Sequence, residues 1–346
     1  MDKFTINLET TESLIVIDKE IALGRLEINP SNALIVTDKT LSGNAALASY
    51  IKSSGCPSVV LPSGEAYKNL ESIKKIAEAA LRSGLDRQAV FIGIGGGVIC
   101  DMCAFAASVY MRGCRLVLLP TSLLSMVDAS IGGKTGVDFL EKKNLIGSFY
   151  PADKVFIYID FLKTLPESEY RSGLAEIIKH ALLTGPELLG FLEDNKELIM
   201  RRKAGILEEL ISKSLRVKAE YIETDFREQG IRAHLNFGHT FGHALEAAAG
   251  LGRFTHGEAV AWGMERSLRA GVKIGLTDRN YAERVRALLL GYGYNLDFED
   301  FDRKLFFEAI AADKKKKNGQ IQFILQRNIG ETFSKALDLE LVKEVI

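Results

Sequence analysis

Short, continuous apolar runs punctuate the first half of the chain. The segments 14–17 (LIVI), 33–37 (ALIVT), 58–61 (SVVL), 89–93 (AVFIG), 116–119 (LVLL) and 155–159 (VFIYI) are rich in β-branched residues. Gly, Pro, Asn or Asp bound them, and this predicts buried strands. Between them, 43–53 and 69–83 show the three-to-four spacing of apolar positions that predicts helices. Strands that are apolar on both faces and alternate with helices predict a parallel sheet covered on both sides. Beyond Pro166 the pattern changes. Residues 167–184, 186–194, 201–225, 238–249, 256–271, 277–290 and 304–312 read as helices, and one late strand, 320–326, follows a Lys-rich turn. The expectation is an α/β parallel-sheet domain over 1–159 followed by an all-helical domain over 160–346.

Composition agrees with two ordered domains. The chain has 346 residues, 47% of them hydrophobic and 26% charged. Lys plus Arg number 44 and Asp plus Glu 45, a net charge of -1, which argues against a nucleic-acid binder and still permits a local basic pocket. The first residues show no basic segment followed by an apolar one, and the most apolar stretch, 89–100, stops at Asp101, far too short for a bilayer. No membrane partner and a cytoplasmic location are expected. Cys56, Cys100, Cys103 and Cys114 do not make a disulfide framework in a chain of this length.

Candidate chemistry begins at Gly93-Ile-Gly95-Gly96-Gly97-Val98, where a strand turns into a helix. Val98 breaks the G-x-G-x-x-G fingerprint, and no acid follows about twenty residues on. The run reads either as a tight turn or as a phosphate cradle, with a dinucleotide pyrophosphate as the best-fitting ligand. Cys100 and Cys103 lie inside an apolar helical turn beside Asp101, which opposes thiolate formation, so they read as packing residues. The segment 120–136 ends in Gly133-Lys134-Thr135, but Asp128 stands where a P-loop needs its first Gly, which argues against an NTPase. Of the five histidines, four lie between 234 and 256. His239 and His243 share a helix face at i, i+4, with Thr240 where a zinc protease would have Glu. A two-histidine metal site wants a carboxylate and an open position. Spacing leaves Glu176, Glu246 and Glu258 as candidates, and Glu176 with His180 makes a tempting local i, i+4 pair.

The motifs GGGVICD (95–101), YMRG (110–113), PTSLLSMVDASIGGKTGVD (120–138), KKNLIGSFYPADKV (142–155), LKTLP (162–166), GLAEIIKH (173–180), REQGIRAHLNFGHTFGHALE (227–246) and HGEAVAWGM (256–264) resemble, in order, those of the 3-dehydroquinate synthase family of sugar phosphate cyclases. The resemblance implies a Rossmann-like NAD domain followed by a helical metal-binding domain. It places Zn2+, or Co2+, on Glu176, His239 and His256. It puts His243, Asn236, Lys134 and Asp128 in catalysis, and Lys143, Asn144, Lys179, Lys218, Arg232 and Lys314 on the substrate. NAD contacts are implied at Asp38, Gly64, Glu65, Lys68, Gly96, Gly97, Asp101, Thr121, Ser122, Lys134, Lys143, Phe161 and Thr164. Arg112 would reach the site of a partner subunit, which implies a homodimer. The implied reaction on the heptulosonate phosphate is a transient oxidation, loss of phosphate by β-elimination, reduction, ring opening and an aldol closure to 3-dehydroquinate. Asp138, Ser122 and Ala104 stand where the family usually has Asn, Thr and Gly, changes that keep size or polarity. Relatives that cyclise other sugar phosphates change the residues around the carboxylate; this chain keeps Lys218, Arg232 and Asn236 together. A metal-dependent polyol dehydrogenase of the glycerol-dehydrogenase type and a nucleotide-binding sensor with a structural zinc are the competing readings.

Overall fold

Parallel pairing suits strands that are apolar on both faces, and the computed structural model, which describes residues 1–9, 11–20, 26, 29–140, 142–250, 252–298, 300–312, 316–317 and 320–346, pairs them in that way. Two compact units emerge: 1–165 with 207–212, and 166–206 with 213–346.

In the first unit the order is β1 (Asp2–Asn7), β2 (Glu12–Asp18), β3 (Ala33–Asp38), α1 (Lys39–Ser42), α2 (Ala45–Ser54), β4 (Ser58–Leu61), α3 (Leu70–Arg82), β5 (Val90–Gly95), α4 (Gly97–Val109), β6 (Arg115–Pro120), β7 (Lys134–Phe139), β8 (Lys142–Phe149) and β9 (Lys154–Tyr158). Seven strands form one sheet in the order β1-β2-β9-β6-β5-β3-β4, parallel except for β1 against β2. Leu34, Ile35, Phe91, Ile94, Leu116, Leu119, Val155 and Ile157 bury its centre. The connections run outward to β4 from β3 and the other way to β6 from β5. The strand order therefore reverses between β3 and β5, and the crevice at the carboxyl ends there is the usual ligand position of such a sheet. β7 and β8 make a separate antiparallel ribbon. The four cysteines are buried and free. Cys103 fills the space over Gly93, where a Cβ would come within 2.9 Å of the Cys103 Cβ.

The second unit carries α5 (Glu167–Leu183), α6 (Pro186–Asp194), α7 (Lys196–Met200), α8 (Ala204–Thr224, whose residues 207–212 count with the first unit), α9 (His239–Ala249), α10 (His256–Lys273), α11 (Arg279–Gly291) and α12 (Arg303–Ala312). It then has β10 (Lys316–Lys317), β11 (Gln320–Gln326), β12 (Thr332–Ala336) and α13 (Leu339–Val345). The expected late strand is thus the middle of a three-stranded antiparallel sheet. "All-helical" is corrected to "mainly helical": β12 is only partly buried and lacks the apolar run that marks a strand in sequence. Phe241, Leu245, Trp262, Phe306, Phe323 and Val342 form the core between α9, α10, α12 and the small sheet. Burying each such side chain stabilises by about 1.5–3 kcal/mol. α5 is buried almost all round, which makes it a central helix, and its polar residues Glu176, Lys179 and His180 are buried with it.

Candidate functional site

Three helices of the second unit bring one acid and two imidazoles together. Glu176 lies on α5, His239 is the first residue of α9 and His256 the first of α10. The Glu176 carboxylate is fully buried. Its Oε2 takes the ammonium of Lys179, and its Oε1 has no hydrogen-bond partner. That oxygen faces the Nε2 atoms of His239 and His256, each 3.6 Å away. The separation is too long for hydrogen bonds. It matches the spread of donor atoms in a tetrahedral zinc site, about 3.3–3.6 Å for metal–ligand bonds of ~2.0–2.2 Å. The acid and the imidazoles thus fit a divalent ion, and each ligand has an outer partner. His239 Nδ1 lies 3.3 Å from the Phe237 carbonyl and His256 Nδ1 lies 3.6 Å from Glu246 Oε2.

Burial by itself would raise the Glu176 pKa; Lys179 and His256 outweigh it and hold the carboxyl well below the usual carboxylate range. Burial by itself would lower the His256 pKa; Glu176 and Glu246 outweigh it and raise it to about 10. The other candidates have different work. Glu258 closes a capping box with Thr255 at the start of α10. His180 turns its Nδ1 to the Ser214 hydroxyl, 2.8 Å away.

The second unit also buries cations, which are rarely buried without partners. Lys179, Lys218 and Arg232 are 1%, 6% and 2% exposed. Arg232 donates to the Phe226 carbonyl. Its loop is held by Asp225, whose carboxylate accepts the amides of Gln229 (2.9 Å), Gly230 (2.7 Å) and Arg232 (3.0 Å). Asn236 donates to Glu228 Oε1. Sequence reading passed over both acids, although Glu228 lies inside a quoted motif and its φ of +56° marks it. His243 sits edge-on to His239 with ring centres 5.3 Å apart. Lys314 lies outside the described residues.

In the first unit the glycine run divides its labour. A Cβ on Gly95 would come within 2.5 Å of the Ile99 Cβ and one on Gly97 within 3.3 Å of the Ala129 Cβ, so these two permit close packing. Gly96 is different: a Cβ there would meet only the Ser122 hydroxyl, 3.7 Å away. It caps α4 with no side-chain hydrogen bond. Bare amides at a helix start suit a phosphate oxygen, so the residues fit a pyrophosphate. Lys68, buried, donates to Asp101 (2.6 Å) and to Asn144 Oδ1 (2.6 Å), with Glu65 3.8 Å away. Burial pushes Asp101 up to about 6 against the pull of Lys68. The Lys68–Asn144 bond ties the loop after β4 to the β7–β8 ribbon. Gly64 has the left-handed φ of +106°. Ser122 Oγ lies 2.9 Å from Ser125 Oγ, and Thr121 donates its amide to the Gly95 carbonyl. Asp38 ends β3 and caps α1 through the Leu41 amide (3.0 Å), also accepting the Ser63 hydroxyl (3.2 Å). Asp128 lies in the helical turn Ser125–Ala129 and Phe161 is buried, while Thr164, Lys134, Lys143 and Arg112 are exposed.

Residues 58–172 match the family described as 3-dehydroquinate synthase N-terminal, and residues 173–316 the one described as 3-dehydroquinate synthase C-terminal. A 3-dehydroquinate synthase of Dictyoglomus thermophilum is 44% identical over 273 residues, 79% of this chain and 77% of that protein. One of Nostoc punctiforme is 40% identical over 322 residues, 90% of this chain and 88% of that protein. Among solved structures, a 2-epi-5-epi-valiolone synthase from Streptomyces hygroscopicus with NAD+ and Zn2+ bound superposes with a TM-score of 0.87 at 29% identity, covering 98% of this chain and 97% of the other.

Proposed function

The chain belongs to the 3-dehydroquinate synthase family, and we propose that it converts 3-deoxy-D-arabino-heptulosonate 7-phosphate into 3-dehydroquinate and phosphate, as a phosphate-eliminating lyase of the shikimate pathway. The observation that carries this reading is the orphaned oxygen of Glu176 turned to two imidazoles, with the ammonium of Lys179 on the carboxylate's other oxygen. When bound, NAD+ supplies reversible redox chemistry at a substrate carbinol, and the divalent ion, Zn2+ or Co2+, polarises the substrate's hydroxyls. Everything else falls to the chain. Glu176, His239 and His256 hold the ion. Lys179, Lys218, Arg232 and Lys143 neutralise the substrate's carboxylate and phosphate, Arg suiting the first and Lys the second, and Asn144 adds an uncharged substrate contact. Lys218 and Arg232 with Asn236 are the set that favours the carboxylate-bearing substrate. Asn236 and His243 orient groups around the elimination, with Asp128 and Lys134 stabilising charge. Gly64, Glu65, Lys68, Gly96, Gly97, Asp101, Thr121, Ser122, Phe161 and Thr164, with Asp38, hold the dinucleotide at the carboxyl edge of the sheet. Residues 1–159 act as the NAD-binding domain and 160–346 as the metal- and substrate-binding domain.

The working form is a homodimer in the cytoplasm. Val109, Met111, Leu145 and Phe149 are exposed apolar side chains, 50%, 43%, 38% and 38% accessible. The Ser148–Ser108 hydrogen bond (2.8 Å) lays β8 against the end of α4, so they belong to neighbouring segments. A second copy would cover them. No described helix is long and apolar enough to cross a membrane.

The test is a single assay. Protein supplied with the heptulosonate phosphate, NAD+ and Zn2+ should release phosphate and form dehydroquinate in equal amounts with no net NADH. NADH accumulating in step with substrate consumed would make the protein a polyol dehydrogenase instead.

A further inference from the structure

We propose that Glu246 is a positioning residue, which turns the His256 imidazole so that Nε2 faces the ion and Nδ1 carries the proton. The inference rests on the reading of Glu176, His239 and His256 as ligands. His256 has a carboxylate on each side: Glu176 Oε1 is 3.6 Å from Nε2 and Glu246 Oε2 is 3.6 Å from Nδ1. A neutral imidazole that gives one nitrogen's lone pair to a cation has its hydrogen on the other, and that hydrogen needs an acceptor. His239 finds a backbone carbonyl, that of Phe237. His256 has a carboxylate oxygen facing Nδ1 at 3.6 Å, an ion-pair distance rather than a formed hydrogen bond, and that charge favours the proton on Nδ1 and turns the ring's other nitrogen to the ion.

The two helices explain why this acid and not a nearer one does the work. Thr255 and Glu258 lock the backbone at the start of α10 by their reciprocal cap. That cap occupies Glu258 and leaves the His256 ring without a partner from its own turn. Glu246 comes from the neighbouring helix, seven residues after His239, so it lies two turns along the same face of α9. α9 therefore delivers a ligand and the group that orients another ligand. The register is stiff because the helices touch through backbone: a Cβ on Gly263 would lie 2.0 Å from the Gly238 carbonyl, and one on Gly242 2.9 Å from the Ala259 carbonyl. His243 shares the neighbourhood, and His243, Glu246 and His256 each have a donor atom within 4.8 Å of the others. A second ion held by those three is the rival arrangement.

Metal binding decides the matter without reference to turnover. The full chain is stripped of metal, and Zn2+ affinity and stoichiometry are read by chelator competition for wild type, Glu246→Ala and Glu246→Gln, with the visible spectrum of the Co2+ form beside them. Expected are one ion per chain in all three, affinity weakened ~10–100-fold in Glu246→Ala, a shifted Co2+ spectrum in that variant, and recovery of most of the affinity in Glu246→Gln, whose amide oxygen still accepts. An equal metal-free melting temperature in Glu246→Gln and wild type keeps folding out of the comparison. Wild-type affinity in Glu246→Ala overturns the inference. So does a second ion per wild-type chain that vanishes in Glu246→Ala, since Glu246 would then be a ligand. A wild type that binds no ion overturns the ligand reading itself, and the inference with it.

Discussion

Asp225 illustrates how one side chain can hold a functional loop without facing the substrate. Burial by itself would raise its pKa; the amides of Gln229, Gly230 and Arg232, and the charge of Arg232, outweigh it and hold the carboxyl below the ordinary aspartate range. A depressed carboxylate contributes stability that is complete above the unfolded pKa and is lost as pH falls through the folded one. Asp225→Ala should therefore melt about 1–2 °C lower at pH 7, for a net hydrogen-bond contribution of ~1 kcal/mol. The gap should close as the pH is taken well below 3.8. KM for the anionic substrate should rise at pH 7, because the same loop presents Arg232. A melting gap of equal size at pH 7 and pH 2.5 would show that the carboxylate charge plays no part. Residue identities were only partly legible in the sequence. Histidine clustering announced a metal group, yet spacing alone left three carboxylates open and favoured the local pair of Glu176 and His180. What spacing could not supply is orientation: Ser214 meets His180 Nδ1, Thr255 caps with Glu258, and Glu176 Oε1 faces the imidazoles of His239 and His256.

At the scale of elements, α9 and α10 approach so closely that glycine is required at the crossing. Gly238 itself has a φ of +82°, and a Cβ on Gly263 would strike its carbonyl and lie 2.8 Å from the Gly242 amide. Backbone cannot move aside as a side-chain tip can, so Gly263→Ala should force the helices apart, at an overpacking cost of about 1–3 kcal/mol. Since His239 opens one helix and His256 the other, the variant should also weaken Zn2+ binding. Gly190 of α6 is the control: a Cβ there meets nothing within 4 Å, and Gly190→Ala should leave metal affinity unchanged and raise the melting temperature slightly. Calorimetry and chelator competition on the two variants read both effects. Wild-type metal affinity in Gly263→Ala would show that the crossing does not set the distance between the imidazoles. Most of the strands that sequence reading found are buried on both faces, such as β3, β5, β6 and β9, while the half-exposed edge strand β4 was betrayed by its β-branched run. It missed β1, whose outer face is exposed, and the β7–β8 ribbon. There the burial is low, and Gly147 lets two strands touch where a Cβ would fall 2.0 Å from the Thr135 carbonyl. Patterning by burial is silent for such strands.

For the whole molecule, near-neutral net charge conceals an uneven distribution, with Lys179, Lys218 and Arg232 buried in one unit. Arg112, exposed like Lys134 and Lys143, is unusually held. Met111, Arg112 and Gly113 have φ of +48°, +69° and +119°, a run in which two non-glycine residues adopt a costly conformation. Strain of this kind persists where the surrounding structure over-determines it, and the exposed apolar side chains on either side supply a reason if a second copy packs there. In the proposed homodimer each site draws Lys179 from its own chain and Arg112 from the partner subunit. Arg112→Ala and Lys179→Ala should each be nearly inactive as pure proteins. Mixed in equal amounts, partly unfolded and allowed to reassociate, they form hybrids in which one site carries both defects and the other carries neither. With random C2 pairing half of the dimers are hybrids, so about a quarter of all sites should recover. Phosphate release by the mixture should therefore reach about a quarter of the wild-type rate, with zinc content as the check that Lys179→Ala still folds. No recovery in a mixture whose hybrids are demonstrated by mass spectrometry would place Arg112 and Lys179 in the same site of one chain, or Arg112 in none.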